Sequence, residues 1–530
     1  MSAVERASGR HLGVVATLAA IFVSACAVGP DFKVPAAPDT TRYTKGALPA
    51  HTASADTALG EAQRFRKEKD ISATWWQLFH SHALNSLIEK SLEANPNLQS
   101  AIAALRVARL NVYAQEGHYF PTVQANYNPT RQETAAEIAP VLGNGQNPFN
   151  LYTAQVTVSY TPDVWGLNRR TVESVQAQAD NQRFAVEAAW LTLTSNIVVA
   201  AIQEASLRGQ IDATHRIIEI NKKMLDILRK QFETGYANRS DLAAQEAALA
   251  QVEATLPPLQ HQLAIQRDLL TALAGRFPSD PPSETFRLAE MKLPVDLPVS
   301  LPSKLIAQRP DVRQAEESLH AASAQVGVAI ANLLPNFTIT GNRGYMATQM
   351  ANLISSPNIF WTVAGNATQT VFDGFSLINT ARAASAAYDE ATWSYRNAVI
   401  AALQNVADTL AALETDATAL KAARNFERAA KISLDLAQQQ IQTGNANVLL
   451  LLTAQQTYLQ AEIQVVQAQA ARLSDTAALF QALGGGWWNR DRPPATEQTF
   501  DVSTGRAQPR AKDESKGWPE FRWVTHVWGE

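Results

Sequence analysis

The sequence has almost no cysteine: Cys26 is the single thiol among 530 residues. An intrachain disulfide is therefore excluded, and a thiolate metal cluster would need ligands from other chains. Net charge is equally scarce, with 45 Lys and Arg against 49 Asp and Glu, a formal −4 and a pI of about 6.2. Nucleic-acid binding would leave a strongly basic face, and no such excess exists, so no nucleic-acid partner is expected. Long hydrophobic runs are missing too. Beyond the N-terminus no stretch approaches about 18 consecutive apolar residues, so a transmembrane helix is not expected and a membrane crossing would be made by strands. Motifs of covalent chemistry are also absent. There is no Gly-x-Ser-x-Gly elbow and no His-Glu-x-x-His helix, and Gly484-Gly485-Gly486 lacks the lysine of a phosphate loop. His80-Ser81-His82 has no further ligand cluster near it and reads as solvated surface. No catalytic residue, cofactor or metal is expected.

What is present begins at the N-terminus. Arg6 and Arg10 precede an apolar run from Leu12 to Phe22, followed by Val23-Ser24-Ala25-Cys26. A basic start, a short apolar stretch and small residues before a cut read as a secretory signal over 1–25. Its closing cysteine matches a bacterial lipobox, which would leave Cys26 as the first residue, carrying acyl chains. Several chains anchor stably where a single one does not. Ala27, rather than Asp, points to delivery to the outer membrane.

A set of landmarks then occurs twice. Asn95-Pro96-Asn97 opens a helical run closed by Phe120-Pro121, and Arg309-Pro310-Asp311 opens one closed by Leu334-Pro335; the prolines of each pair are 25 residues apart. Strand-like sequence follows each, then Trp165-Gly166 or Asp373-Gly374, then a very long helical run. Those runs end at Thr234-Gly235-Tyr236-Ala237-Asn238 and Thr443-Gly444-Asn445-Ala446-Asn447, 209 residues apart. Each copy reads helix, two strands, long helix, tight turn, helix.

The helical runs carry coiled-coil periodicity. Val399, Leu403, Val406, Leu410, Leu413, Ala417 and Leu420 alternate steps of four and three, and Leu242, Leu249, Leu256, Leu263 and Leu270 recur every seven, with Gln245 and Gln266 as polar exceptions. The run from about 168 to 234 spans roughly 100 Å at 1.5 Å per residue, a rod rather than a globular core. Pro257-Pro258 marks a bend in it. Residues 152–161 alternate without a fault, with Tyr152, Ala154, Val156, Val158 and Tyr160 against Thr153, Gln155, Thr157, Ser159 and Thr161. Residues 121–128 and two stretches in the second copy, around Phe337–Asn342 and Trp361–Thr368, make four such strands. Uncharged two-faced strands with aromatics near their ends fit an outer-membrane barrel, although a soluble amphipathic sheet alternates the same way. Four strands cannot close a barrel, and open edges are not tolerated in hydrocarbon, so several chains would have to share one. Three chains would give twelve strands; two would give eight, a barrel filled by its own side chains.

These residues resemble the TolC/OprM-type outer-membrane factors, in the NodT-like efflux-lipoprotein branch. The resemblance covers nearly all of the mature chain. Cys26 to Phe32 with Pro35 is similar to that branch's start; Trp75-Trp76, Phe79, Leu84, Leu87 and Ile88 to its first block; Arg309 to Arg313, Ala315-Glu316 and Gly327-Val328-Ala329 to its most specific one; Val371 to Gly374 and Ala482 to Trp487 to the rest. The resemblance implies an α + β-barrel membrane protein: a homotrimer with a long coiled-coil helical barrel, a twelve-strand transmembrane barrel built from four strands per chain, and two internal repeats. It implies a passive exit duct for small molecules in the outer membrane, reaching into the periplasm. Its partners would be a periplasmic adaptor (membrane fusion protein), an inner-membrane pump of the proton-driven resistance-nodulation-division (RND) class, and outer-membrane lipid. A channel for type I protein secretion would share the architecture; the lipoprotein start and the Arg-Pro-Asp block favour the small-molecule branch. The expected organisation is a signal peptide (1–25), an anchor and equatorial segment (26–80), repeat one (81–276), a linker (277–302), repeat two (303–485), and an equatorial segment and tail (486–530).

The periplasmic end is expected at two tight turns, Gly235 to Asp241 and Gly444 to Thr453. Gly235 and Gly444 suit left-handed helix ends, and Asn238 and Asn447 suit N-caps. Family members often carry Leu-Leu-Asp-Ala-Gln in the second turn; here it is Leu451-Leu452-Thr453-Ala454-Gln455, without the acid. The expected gate therefore combines the apolar stretch Leu449, Leu450 and Leu452 with Thr453, and Asp241 with Arg239 as its possible partner. Asp241 in a helix's first turn is also favoured there for that reason alone. Packing around Leu449 to Leu452 is expected to dominate closure.

Overall fold

The computed structural model describes residues 27–40, 42–46, 48–67, 69–133, 135, 147–443, 448–490, 498–501 and 506–509. Cys26 of the expected anchor and Gly444 and Asn447 of the second turn lie outside these residues. Two compact units divide the chain, one ending at Asn489 and one starting at Arg490. In the second unit the described elements are a small antiparallel pair, Gln498–Asp501 with Arg506–Pro509.

The first unit opens with β1 (Arg64–Lys67), α1 (His82–Ala94) and α2 (Pro96–Glu116), then β2 (Thr122–Gln132) and β3 (Phe149–Tyr160). A 67-residue helix, α3 (Leu167–Glu233), leads to α4 (Arg239–Glu253) and α5 (Leu256–Leu273). The connection carries β4 (Asp296–Val299), parallel to β1, and α6 (Pro302–Gln308). The second half runs α7 (Pro310–Ala331), β5 (Asn336–Ala347), β6 (Ile359–Thr368), α8 (Ser376–Gln442, again 67 residues) and α9 (Val448–Ala482).

Capping explains where the long helices begin. The Asp163 carboxylate accepts from the Asn168 and Arg169 amides at 2.9 and 3.0 Å; the Asp373 carboxylate accepts from Ser376 and Leu377 at 3.1 and 2.7 Å. A carboxylate there satisfies orphan N–H groups and complements the helix dipole. The motif residues before Pro96 and Pro310 also act alike. Asn95 Nδ2 donates to the carbonyl of Leu273, the last residue of α5, at 2.9 Å. Arg309 Nη1 donates to that of Ala482, the last residue of α9, at 2.8 Å, while Asp311 holds its fork at 2.9 and 2.6 Å. The Arg-Pro-Asp block is thus a lock on the returning helix.

The core lies where these locks meet. Trp75 stacks on Phe480 with centroids 5.3 Å apart and Trp76 meets Trp190 at 5.3 Å, amid Leu84, Leu87, Ile88, Ile197 and Ile202. The N-terminal segment is stitched on by Arg472 of α9, fully buried, which donates to the carbonyls of Leu59 and Glu61 and to Thr52 Oγ1. The proline bend appears one turn early: the helix breaks at Ala254 and Thr255, and Pro257 sits in the first turn of α5, where a missing N–H costs nothing.

Candidate functional site

The four long strands form one antiparallel sheet in the order β2-β3-β5-β6, at the end where α3 and α8 begin. Register puts Val123, Val158, Gly341 and Val363 in one row of one face, and Ala125, Val156, Arg343 and Trp361 in the next. The opposite face reads Thr122, Ser159, Thr340, Ala364, then Gln124, Thr157, Asn342, Thr362. One face is therefore apolar and exposed, with Trp361 71% and Val363 70% accessible, and the other polar and uncharged. No Asp or Glu occurs in any of the four strands. The outer edges of β2 and β6 have no strand partner among the described residues.

At the foot of this sheet the first described residues dock. Val28 N–H donates to the Trp165 carbonyl at 3.0 Å, and Arg170 reaches Val28 O at 3.1 Å and the Asp31 carboxylate at 2.7 Å. Gly29 lies so close to Gly327 that a Cβ on it would stand 2.4 Å from the Gly327 Cα. Phe32 stacks on His320 at 4.3 Å. Ala27, next to the expected lipidation residue, therefore sits beside Gly166 where the strands join the helices.

The far ends of the long helices form the other candidate site. Gly235 has φ +83°, which permits the left-handed exit from α3, and Asn238 caps α4 by accepting from Asp241 N–H at 2.8 Å. Asp241 is half-buried and Arg239 exposed, and no ion pair joins them. The cations nearby pair elsewhere, Arg229 with Glu246 at 3.1 Å and Lys230 with Asp226 at 2.8 Å. In the second tip, α9 already begins at Val448, so Leu449 to Thr453 are helical, not part of a turn. A run of leucines keeps low-energy helical rotamers, whereas a turn would expose all of it. Helix geometry then splits the run. Leu451 is fully buried against Met224, Leu228, Leu434 and Ile441, Leu452 is half-buried, and Leu449 and Leu450 are 66% and 49% exposed. The exposed Thr453 bonds back to the Leu449 carbonyl at 2.9 Å.

Leu451, inside the expected Leu449 to Leu452 stretch, is the leucine of that run that is fully buried between the two hairpins. Two contributors escape the sequence reading. Gln231 Nε2 caps the end of α8 by donating to the Ile441 carbonyl at 2.9 Å. Gln455 is buried with neither amide atom bonded among the described residues. Its position four residues after Leu451, on the same stripe, was the available signal. Deeper along the rod, Gln245 is buried and its Nε2 donates to Asn221 Oδ1 at 2.9 Å, while its Oε1 has no partner among the described residues, so that heptad exception is a half-satisfied polar pair.

Two carboxylates on the long helices, one buried and one half-buried, differ. Glu204 on α3 is fully buried and held by Arg208 at 2.7 Å and Arg267 at 3.1 Å. Asp416 on α8 faces Asp475 of α9; burial first, then that second carboxylate, push it up to about 7, against the pull of Arg472. Among the described residues no cluster of His, Cys, Asp and Glu has metal-site geometry.

Comparison with known proteins gives these features a frame. The sequence profile of the outer membrane efflux protein family matches residues 87–276 and again 301–485. The probable efflux pump outer membrane protein TtgC of Pseudomonas putida is 26% identical over 488 residues, 92% of this chain and 98% of the relative. The outer membrane protein OprJ of Pseudomonas aeruginosa is 25% identical over 479 residues, 90% of this chain and 96% of its own. Among solved structures, the outer-membrane channel OprN superposes with a TM-score of 0.75 at 26% identity, covering 87% of this chain and all of that one. Two profile matches that together span most of the chain, with full-length relatives of one kind, assign it: the chain belongs to the outer membrane efflux protein family, as a non-enzymatic outer-membrane channel component of an efflux pump.

Proposed function

We propose that this chain is the passive exit duct of a tripartite efflux system, working as a homotrimer. Three four-stranded sheets join edge to edge into a twelve-strand barrel, and the helices close into a tunnel through the periplasm. A periplasmic adaptor and an RND-type inner-membrane pump deliver small molecules to it; the pump supplies the energy. The duct is anchored by acyl chains on Cys26, and the docked segment from Ala27 to Phe32 supports this by holding the start of the mature chain beside the sheet's foot. The two matched stretches are internal repeats, bounded as 81–276 and 303–485, with 277–302 between them and 486–530 behind.

The observation that carries this reading is the sheet itself. It is apolar on one face, uncharged and polar on the other, without a strand partner at either edge among the described residues, and mounted on helices about 100 Å long. Open edges in hydrocarbon strand several N–H and C=O groups, each costing several kcal/mol, so the edges demand partner chains. The tips form the gate. Leu450 and Leu449 meet their counterparts around the axis, Leu452 and Thr453 line the next level, and Asp241 with Arg239 contributes a weaker polar ring. Gly235 and Asn238 shape the first turn.

Planar-bilayer conductance of the purified protein tests both the duct and the ranking. A closed channel that opens more in Leu450→Ser than in Asp241→Ala is expected. No current from any variant would sink the duct; a wide opening only in Asp241→Ala would reverse the ranking.

A further inference from the structure

We propose that Arg343 docks the phosphate of an anionic lipid on the outward face of the sheet, with an acyl chain of the same lipid in the furrow below it. The proposal rests on the barrel reading above and goes beyond it.

Arg343 stands on the apolar face, between Val156 and Trp361. It is exposed, and no hydrogen bond, ion pair or ring contact ties it to another described residue. The only other charged residue of the four strands is Arg131, on the same face and farther from the helices. Both cations are thus on the outward side, in the half of the sheet away from the periplasm, and the inward face has none. A guanidinium facing mid-bilayer hydrocarbon costs about 2–4 kcal/mol, falling to about 0–1 near the interface. The level of Arg343 is set by its neighbours: Trp361 in its own row, Tyr127 and Tyr345 in the next and Tyr152 beyond. Such aromatics collect at the headgroup level. The guanidinium therefore meets headgroups of the outer leaflet, and its rigid fork matches a phosphate bidentately.

The furrow argues for a lipid over a free ion. In the next row toward the helices the side chain is missing at Gly341, where an added Cβ would have only Val363 within reach, at 4.0 Å. Gly365, one row further on, leaves open space. Val158 and Val363 flank this gap, and Ile339 and Gly365 in the row below line a groove of about 490 Å³ together with Pro162, Val164, Phe337, Ala367 and, from the polar face, Thr338 and Asn366. From Arg343 to Phe337 is roughly 20 Å along the strand at about 3.3 Å per residue, of the order of one leaflet of a ~30 Å core. A phosphorylated, acylated molecule fits both ends; inorganic phosphate fits only one.

Native mass spectrometry of the delipidated full-length protein tests this with three probes: bis-phosphorylated lipid A, its dephosphorylated form and inorganic phosphate. The wild type is expected to retain the phosphorylated lipid about tenfold better than the dephosphorylated one, a factor suited to one charge-assisted pair. Arg343→Gln should bring the two to parity, and Arg343→Lys should keep part of the preference. Equal preference in wild type and Arg343→Gln overturns the proposal, as does displacement of the lipid by millimolar inorganic phosphate. The oligomer mass in the same spectra separates the causes: a trimer with no lipid preference defeats this site alone, whereas a monomer defeats the barrel as well.

Discussion

The two 67-residue helices α3 and α8 have the same length and the same capping, and they live in different surroundings. On α3, Phe184 and Leu191 are 4% and 6% exposed; the residues 209 positions later on α8, Trp393 and Ile400, are 65% and 63% exposed. The cause is a missing cover. Phe184 meets the Trp487 ring edge-on at 5.8 Å, and Gly485 packs against Leu191, so the segment following α9 shields α3. The corresponding segment following α5 carries Phe277, which is 81% exposed and meets no other ring among the described residues. Likewise α3 is flanked by α1, α2, α4, α5, α7 and α9, whereas among the described residues α8 is flanked by α6, α7 and α9. The difference teaches where the next chain belongs. In the proposed ring, α2, α4 and α5 of a neighbour flank α8, and the neighbour's Phe277 lies over Trp393 as Trp487 lies over Phe184.

The strongest way to break that comparison is to charge the uncovered face. Ile400→Glu should abolish the trimer, because it removes about 2 kcal/mol of apolar burial and buries an unpaired carboxylate at each of three contacts. Size exclusion with light scattering should then report a monomer of retained helicity. As the positive counterpart, Phe277→Cys with Trp393→Cys should give a disulfide-linked ladder on oxidation. An unaltered trimer in Ile400→Glu and no ladder would mean that α8 faces water or lumen.

The second contrast is electrostatic. Glu204 on α3 has two arginines; Asp416 on α8 has a second acid beside it. Glu204→Gln should cost about 2–3 kcal/mol, since it strands two partly buried guanidinium groups, and should lower the thermal midpoint. Asp416→Asn should act in the opposite direction and only at high pH. The folded state holds the Asp416 proton up to about 7, against an ordinary value of 3.8. The folded state therefore binds more protons than the unfolded one between those values, and stability falls as pH rises through that window and levels off above it. The asparagine variant should lack this fall and be the more stable at pH 8, by on the order of 1 kcal/mol once the partial exposure of Asp416 is allowed for. Midpoints that run parallel from pH 4 to pH 8 would rule out the shared proton.

How much of this could be read beforehand depends on the kind of signal. Proline and glycine spacings carried the order of elements, because backbone constraints survive any amount of surface change. The strand faces were legible because alternation is a local property. The β1–β4 pair was not, since two four-residue strands 232 positions apart show no periodicity. The apolar stretch at the second tip stands out in the sequence, next to turn residues, yet it is helical; sequence alone does not say which of four consecutive leucines a helix will bury. Phe277 lies in a proline-rich segment that reads as a linker, and its meaning depends on Trp487, 210 residues later.

The smallest expected effect concerns the two hairpin tips. The first has a described polar cap: Asn238 Oδ1 accepts from Asp241 N–H and from Ser240 Oγ at 2.8 and 2.6 Å, on an exposed loop with few apolar contacts. The second is anchored by the burial of Leu451 and Val448. Removing the cap by Asn238→Ala should cost about 1 kcal/mol locally, a loss that frays the first turn of α4 while leaving the global midpoint almost unmoved. Leu451→Ala, by leaving a cavity among Met224, Leu228, Leu434 and Ile441, should cost about 2–4 kcal/mol and loosen both tips together. Amide hydrogen exchange distinguishes them. Faster exchange confined to residues 239–243 is expected for the first variant, and spread across both hairpin ends for the second. Equal, confined effects would mean that the two tips are held independently, and the apolar plug would then have no claim to couple them.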